Sequence, residues 1–307
     1  MHISVLLNEC IDNLNLKEDS IIVDATLGYA GHSSEILKRI KKGRLIAFDQ
    51  DEEAIKESEK KLSKIADNYT IVKSNFKNLK KELKRLNIDK VDGILFDLGV
   101  SSPQLDEDYR GFSFHKDAKL DMRMDRSQEL SAYEVVNNYS KEDLIDIFYK
   151  YGEEKFASKI ALNIVKYREN KKIESTLELV EIIKNSVPEK YRREKHPARK
   201  IFQAIRIEVN DELNVLKCAL NDALELLNKD GRICVITFHS LEDKIVKEMF
   251  KSASEIDDNL KNLPFIPSEY QKDYKVLKTI KPSKKELENN NRSRSAKLRV
   301  IERIKER

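Results

Sequence analysis

The sequence predicts an α/β fold built on a parallel sheet. Three observations predict it: short apolar runs recur and close on an acidic or polar residue, helix-like segments separate them, and one run leads through a glycine turn into a helix. That central stretch is Ser20-Ile-Ile-Val-Asp-Ala-Thr-Leu-Gly-Tyr-Ala-Gly-His-Ser-Ser34, with Asp24 closing the apolar run, Gly28 and Gly31 in the turn, and a helical segment from Ser33 to Lys42. Glycines here let the backbone approach a ligand lying across the helix N-terminus. Asp24 would repel a bare phosphate and suits a cationic amine or a ribose.

Taken in order, His2 to Leu16 sets Val5, Leu6, Cys10, Ile11 and Leu14 at helical spacing. After the glycine turn, Gly43-Arg-Leu-Ile-Ala-Phe-Asp49 is a second strand. Its closing acid stands about 20 residues past the turn, where an acid binds ribose hydroxyls. The turn reads Gly28-Tyr-Ala-Gly31, so the G-x-G-x-x-G pyrophosphate fingerprint is incomplete. S-adenosylmethionine and NAD both remain as ligands, with the missing fingerprint favouring the first. A charged amphipathic helix follows from Asp51 to Ile65, then a third strand, Tyr69 to Lys73, a helix, Asn78 to Leu86, and a fourth strand, Val91 to Asp97. Ligands of such sheets sit outside the carboxyl ends of the strands. That singles out Asp24, Asp49, Asn75, Phe76 and Asp97, with Phe76 suited to lie against a base.

After Asp97 the rhythm breaks into a long loop to Arg126, and Phe112, Phe114, Met122 and Met124 argue that it is ordered. Helical patterns without strands then run through Ser131 to Asn137, Lys141 to Tyr149, Glu153 to Tyr167 and Thr176 to Ser186. They predict a helical domain over 106–205, inserted into a sheet domain formed by 1–105 and 206–307. Lys184 to Lys200 holds 7 basic residues. From Pro197 one long helix is expected, with Ile201, Phe202, Ile205, Val209, Leu213, Leu216, Leu220 and Leu224 on its apolar face. Arg199, Gln203, Arg206 and Asn210 form a polar stripe suited to RNA. Arg232 to Thr237 reads as the fifth strand, closed by Phe238-His-Ser-Leu-Glu-Asp243 and a helix to about Phe250, which brings His239 and Ser240 to the carboxyl edge. Val276 to Lys281 and Ala296 to Ile304 read as final strands around a basic, Asn-rich loop.

The 307 residues are 40% hydrophobic and 36% charged, a soluble globular composition. No stretch approaches the ~20 apolar residues of a membrane span, and Glu9 stands where a signal peptide would be uncharged, so a cytoplasmic protein is expected. Cys10, Cys218 and Cys234 lack metal or disulfide spacing and read as buried reduced thiols. The net charge is only +4, yet Lys275 to Arg307 holds 12 basic against 4 acidic residues. Such a tail suits a polyanion.

Several blocks together resemble the bacterial 16S ribosomal RNA cytosine-N4 methyltransferase family: Asp24-Ala-Thr-Leu-Gly-Tyr-Ala-Gly-His-Ser33, Asp97-Leu-Gly-Val-Ser-Ser-Pro-Gln104, Arg110-Gly-Phe-Ser-Phe114, Leu120-Asp-Met-Arg-Met-Asp125, Tyr151-Gly-Glu-Glu154, Phe202-Gln-Ala-Ile-Arg206 and Phe238-His-Ser-Leu-Glu-Asp243. The resemblance runs from the His2 segment to about Arg303. It implies a Rossmann-like class I methyltransferase sheet with an inserted all-helical domain, S-adenosylmethionine as methyl donor, and a decoding-centre cytosine of the small ribosomal subunit as target. It implies donor contacts from Ala30, Gly31, His32, Asp49, Phe76, Asp97 and Gln104. The family turn commonly has Gly at position 30, and Ala30 keeps the backbone contact if its φ is negative. Asp97, or carbonyls of the Leu98 to Pro103 loop, is expected to accept the amine proton, with His239 as the second candidate. Arg199, Gln203, Arg206 and the basic tail are expected to meet RNA phosphates. No metal is expected, and the oligomeric state stays open. A non-catalytic RNA-binding factor and an NAD-linked oxidoreductase are the competing readings.

Overall fold

The computed structural model describes residues 4–100, 108–194, 196–256 and 271–306. The chain divides into two compact units, 1–99 with 213–307, and 100–212. In the first, α1 (Leu7–Asn13), β1 (Ile21–Asp24), α2 (Gly31–Leu37), β2 (Arg44–Asp49), α3 (Glu52–Leu62), β3 (Tyr69–Lys73), α4 (Leu79–Arg85) and β4 (Val91–Asp97) alternate as the sequence predicts. After the second unit the chain returns as α11 (Glu212–Leu226), β5 (Leu227–Thr237), α12 (Ser240–Ser254), β6 (Tyr274–Val276), α13 (Lys284–Asn289) and β7 (Lys297–Arg303).

The seven strands form one sheet in the order β3-β2-β1-β4-β5-β7-β6. β1 to β5 pair in parallel, and β7 runs antiparallel to both β5 and β6. Alternate residues of each strand face opposite sides of the sheet, so the run Ile21–Asp24 feeds two cores at once. Val23, Ile46, Phe48, Ile94, Phe96 and Val235 pack with Leu79, Leu83, Leu216, Leu220 and Phe250 on one face. Ile22, Leu45, Leu95, Cys234 and Ile236 pack with Leu6, Cys10, Leu14, Ile36 and Leu298 on the other. The chain order reverses between β1 and β4. In doubly wound sheets, that reversal opens a ligand crevice.

The second unit holds α5 (Ala132–Asn138), α6 (Lys141–Lys150), α7 (Ala157–Arg168), α8 (Thr176–Ser186), α9 (Glu189–Glu194) and α10 (Ala198–Asn210). Serines start three of them: Ser131 and Ser175 form capping boxes with Glu134 and Glu178, and Ser140 caps α6. Their apolar faces share one core with Phe112, Leu120 and Met122 of the preceding loop.

The structure revises several local expectations. The helix expected to run on from Pro197 past Leu220 breaks at Asp211, whose φ of 49° is left-handed and ends α10. The apolar stripe is accordingly shared between two cores, Ile201 to Val209 in one and Leu213 to Leu224 in the other. A boundary at 205/206 would cut α10, and the units divide instead after Glu212. The basic segment before Pro197 contains α9. The final strand pair is shorter than expected: β6 stops at Val276, and Ile280 adds only an isolated bridge to Leu298. The loop between β6 and β7 folds into α13 and a 3-10 turn, Asn291–Ser295. Cys10 and Cys234 are buried free thiols as expected, whereas Cys218 is exposed. Among the described residues no helix is long and apolar enough to cross a membrane.

Gly43 ends the α2–β2 connection where a Cβ would lie 2.0 Å from the Ser20 carbonyl oxygen. That neighbour is backbone and has little room to move. Gly43→Ala is therefore expected to lower stability by about 3 kcal/mol, read as a reduced urea midpoint. An unchanged midpoint would show that the turn relaxes freely.

Candidate active site at the carboxyl edge of the sheet

The turn after β1 is tied to both neighbouring strands. Ala25 N–H donates to the Leu95 carbonyl and Leu27 N–H to the Phe48 carbonyl, each at 2.8 Å. Thr26 Oγ1 accepts the Asp97 amide at 2.7 Å, and Asp49 Oδ2 accepts the Gly28 amide at 2.8 Å. These bonds hold the ends of β1, β2 and β4 in one register. Gly28 (φ +49°) and Gly99 (φ +92°) adopt left-handed backbone, and a Cβ on either would meet nothing closer than 3.8 Å. Both leave room for an incoming group.

The three aspartates at these strand ends have different roles. Asp24 is only 1% exposed; Oδ2 accepts from Ser33 Oγ at 2.6 Å and Oδ1 from the Thr26 amide at 3.1 Å. It fastens β1 to α2 and is not the exposed ligand acid that the sequence suggests. Asp49 is half-buried, with Oδ2 on Gly28 and Oδ1 accepting the Asp51 amide at 2.9 Å. Each oxygen keeps a second lone pair suited to a ribose hydroxyl. Burial, with the Asp51 charge adding to it, pushes Asp49 up to about 6 against those amide bonds. Asp97 differs from both: Oδ1 is enclosed and has no hydrogen-bond partner among the described residues, while its side chain is 27% exposed. Burial first, then the charges of Asp24 and Glu242, raise its pKa to about 8.

His32 lies beside it, 5% exposed, with Nδ1 3.6 Å from Asp97 Oδ2 and Nε2 3.1 Å from the Val5 carbonyl. A carbonyl only accepts, so Nε2 carries the proton and Nδ1 faces Asp97. Ala30 is the N-cap of α2 with φ +55°, so the condition for its expected backbone contact to the donor, a negative φ, is not met. A methyl side chain in left-handed backbone costs about 1 kcal/mol, and the burial of Ala30 in the core beside Ile36 offsets part of this. Gly31 packs closely against Ser4: a Cβ there would meet Ser4 Oγ at 1.8 Å and oblige that hydroxyl to rotate away. Phe76 follows β3, half-buried and edge-on to Phe96 with ring centroids 5.6 Å apart. Asn75 beside it donates to Gln50 Oε1 at 2.9 Å. Gln104 and the Ser101–Pro103 stretch lie outside the described residues.

His239, the second proton-acceptor candidate, is the N-cap of α12. Its Nδ1 accepts the Glu242 amide at 3.4 Å, and Nε2 stands 3.1 Å from Glu242 Oε1. Glu242 in turn accepts the Phe238 amide at 2.7 Å. His239 therefore shapes the helix entry, and its one basic nitrogen is already engaged. Sequence reasoning passed over Thr26, Ser33 and Glu242; only the capping spacing of His239 and Glu242 signalled any of them.

In the helical unit, the polar stripe on α10 is largely internal. Arg206 pairs with Glu212 at 2.8 and 3.0 Å, Gln203 donates to the Tyr151 carbonyl at 3.0 Å, and buried Asn210 bridges Met122 and Met124. Arg199 alone of the four is exposed. The stripe expected to face RNA thus locks the helix to its own unit at three positions.

With that geometry in place, comparison with known proteins decides the family. The MraW methylase family model matches residues 1–304. The chain belongs to this family. It is 53% identical to the ribosomal RNA small subunit methyltransferase H of Finegoldia magna, over 99% of this chain and 98% of that one. Solved structures that resemble it include an rRNA methylase from Streptococcus thermophilus (TM-score 0.46, 12% identity, 99% and 100% of the two chains) and a SAM-dependent O-methyltransferase from Thermotoga maritima (0.41, 12%, 100% and 69%). The strand order of this chain is itself Rossmann-like, as the sequence predicts.

The Asp97 environment has a measurable consequence. With a folded pKa near 8 and an ordinary unfolded value near 4, the folded chain holds a proton that the unfolded chain has released. Wild-type stability should therefore fall as pH rises through that window. Asp97→Asn removes this loss: its stability advantage is expected to grow from pH 4 to pH 8 in urea titrations. A gain independent of pH would rule out the raised pKa.

Proposed function

We propose that this chain transfers a methyl group from S-adenosylmethionine to the N4 amine of a decoding-centre cytosine in 16S ribosomal RNA. The observation that carries the reading is Asp97, a carboxyl at the switch point of the sheet whose Oδ1 has no hydrogen-bond partner among the described residues, set among acids that would repel phosphate and attract a cation. The name of the Finegoldia magna relative, a ribosomal RNA small subunit methyltransferase, supports methylation of small-subunit RNA. The cytosine specificity rests on the motif resemblance.

The residues fit the donor. Gly28 and Gly99 leave backbone approachable, Asp49 retains lone pairs for ribose, Phe76 offers an aromatic ring at the edge, and Asp97 places negative charge where a cation can offset the crowding of Asp24 and Glu242. S-adenosylmethionine, when bound, supplies an electrophilic methyl on a positively charged sulfur. Asp97 in its anionic form offsets that charge, and Oδ2, the carboxyl oxygen that is not enclosed, is the acceptor for the proton that the cytosine amine loses. His32 Nδ1 faces that same oxygen and can share the proton there while Nε2 stays bound to Val5. Positioning supplies most of the rate, because nitrogen, carbon and sulfur must stand in line. The helical unit is assigned the substrate RNA, with exposed Arg199 as a phosphate contact on α10. In the sheet unit, the exposed cations Arg292 and Arg294 between α13 and β7 are further phosphate contacts.

Asp97→Ala is expected to lower kcat for methyl transfer to small ribosomal subunits by about 10²-fold or more. Mass spectrometry of nucleosides from small-subunit RNA should find N4-methylcytidine only where the active chain is present. Wild-type turnover by the variant would remove Asp97 from the mechanism. Calorimetric binding of NAD in place of S-adenosylmethionine would overturn the donor, and RNA binding without methyl transfer would leave a non-catalytic factor.

A further inference from the structure

The stretch just before α1 runs against the start of α2. Ser4 occupies the space a Gly31 side chain would need, and the Val5 carbonyl meets His32 Nε2 at 3.1 Å. The chain then turns at Leu6, whose φ of 51° is left-handed and which caps α1 with no side-chain hydrogen bond. Its amide is satisfied from far away in sequence: Glu286 Oε1 accepts it at 2.8 Å, across 280 residues. Glu286 is itself fixed, because Ser283 caps α13 by accepting the Glu286 amide at 3.2 Å. Burial, with Glu9 adding to it, raises the Glu286 carboxyl. Its placement thus costs electrostatic free energy that a purely exposed glutamate would avoid.

We infer that Glu286 is a positioning residue for the donor site. By holding the Leu6 amide it fixes the Val5 carbonyl, which selects the Nε2–H tautomer of His32 and turns Nδ1, as an acceptor, toward Asp97. This rests on the reading of Asp97 as the group that faces the donor. An acceptor oxygen is all that the geometry asks of residue 286, so glutamine serves where alanine does not. Loss of that acceptor leaves a half-buried, strained amide unsatisfied and lets the Val5–His32 bond drift. His32 then samples both tautomers, and its Nδ1 carries a proton part of the time.

Nitrogen-15 NMR of histidine-labelled full-length protein reads the tautomer directly, with the His32 signals assigned by their absence in His32→Gln. Wild type and Glu286→Gln are expected to show one pyrrole-type and one pyridine-type nitrogen, and to bind S-adenosylmethionine within twofold of each other by calorimetry. Glu286→Ala is expected to show averaged His32 nitrogens and affinity weakened about tenfold, the scale of one lost hydrogen bond. If the alanine variant does not fold, Glu286→Asp, which withdraws the carboxylate by one methylene, should show the same averaging. A fixed His32 tautomer with unchanged donor affinity in the alanine or aspartate variant overturns the inference, as does a glutamine variant that behaves like alanine. The tautomer is read without ligand, so a wild type that holds it but ignores S-adenosylmethionine would refute the proposed donor while leaving the positioning role standing.

Discussion

The candidate site at the carboxyl edge of the sheet depends on the hydrogen bonds that pin one turn, Asp24 to Gly31, to the strands on either side of it. Ala25, Leu27 and Gly28 give their amides to β4 and β2, and Thr26 takes the Asp97 amide in return. Each bond is worth only about 1 kcal/mol net. Together they give the turn one conformation, so residues drawn from three strands share one edge. Ser58 Oγ, bonded to the Gly28 carbonyl at 2.7 Å, adds α3 to the same frame.

That frame also sorts the acids. Carboxylates gathered at a sheet edge repel one another and lose hydration, and the structure relieves them unequally. A hydroxyl and an amide on Asp24 and two amides on Asp49 offset part of the burial that still raises both, whereas Lys297 and Arg299 fully offset it for Asp243. Burial disfavours the Asp243 charge, yet those two cations hold it down to about 2. Asp97 receives no such relief at Oδ1 and carries the opposite shift. A cationic ligand is the partner that would complete it, which is why the electrostatics favour a sulfonium over a pyrophosphate.

The helical unit uses polar groups differently. Asn210, Gln203 and Arg206 spend their hydrogen bonds on the loop before α5, on Tyr151 and on Glu212. A segment of about 110 residues can build a core of its own, but a long loop folded into that core brings buried carbonyls that need donors. Asn210 meets that need at Met122, while Gln203 and Arg206 tie α10 to Tyr151 and Glu212. Charge left over for a polyanion sits on residues such as Arg199, which those internal bonds do not involve.

The alternation of strands and helices, the acids at Asp24, Asp49 and Asp97 and the extra helical segment were legible in the sequence, because hydrophobic period and turn chemistry are local properties. The family was legible for the same reason, since its motifs are contiguous blocks. Which acid is stapled and which is left unpaired was decided only in three dimensions, by partners such as Thr26, Ser33 and His32 arriving from other elements. The break at Asp211 was hidden because a helical stripe keeps its period across a single left-handed residue. The link from Glu286 to Leu6 had no local signal at all: a hydrogen bond across 280 residues exists only once the sheet has brought the two ends of the chain together.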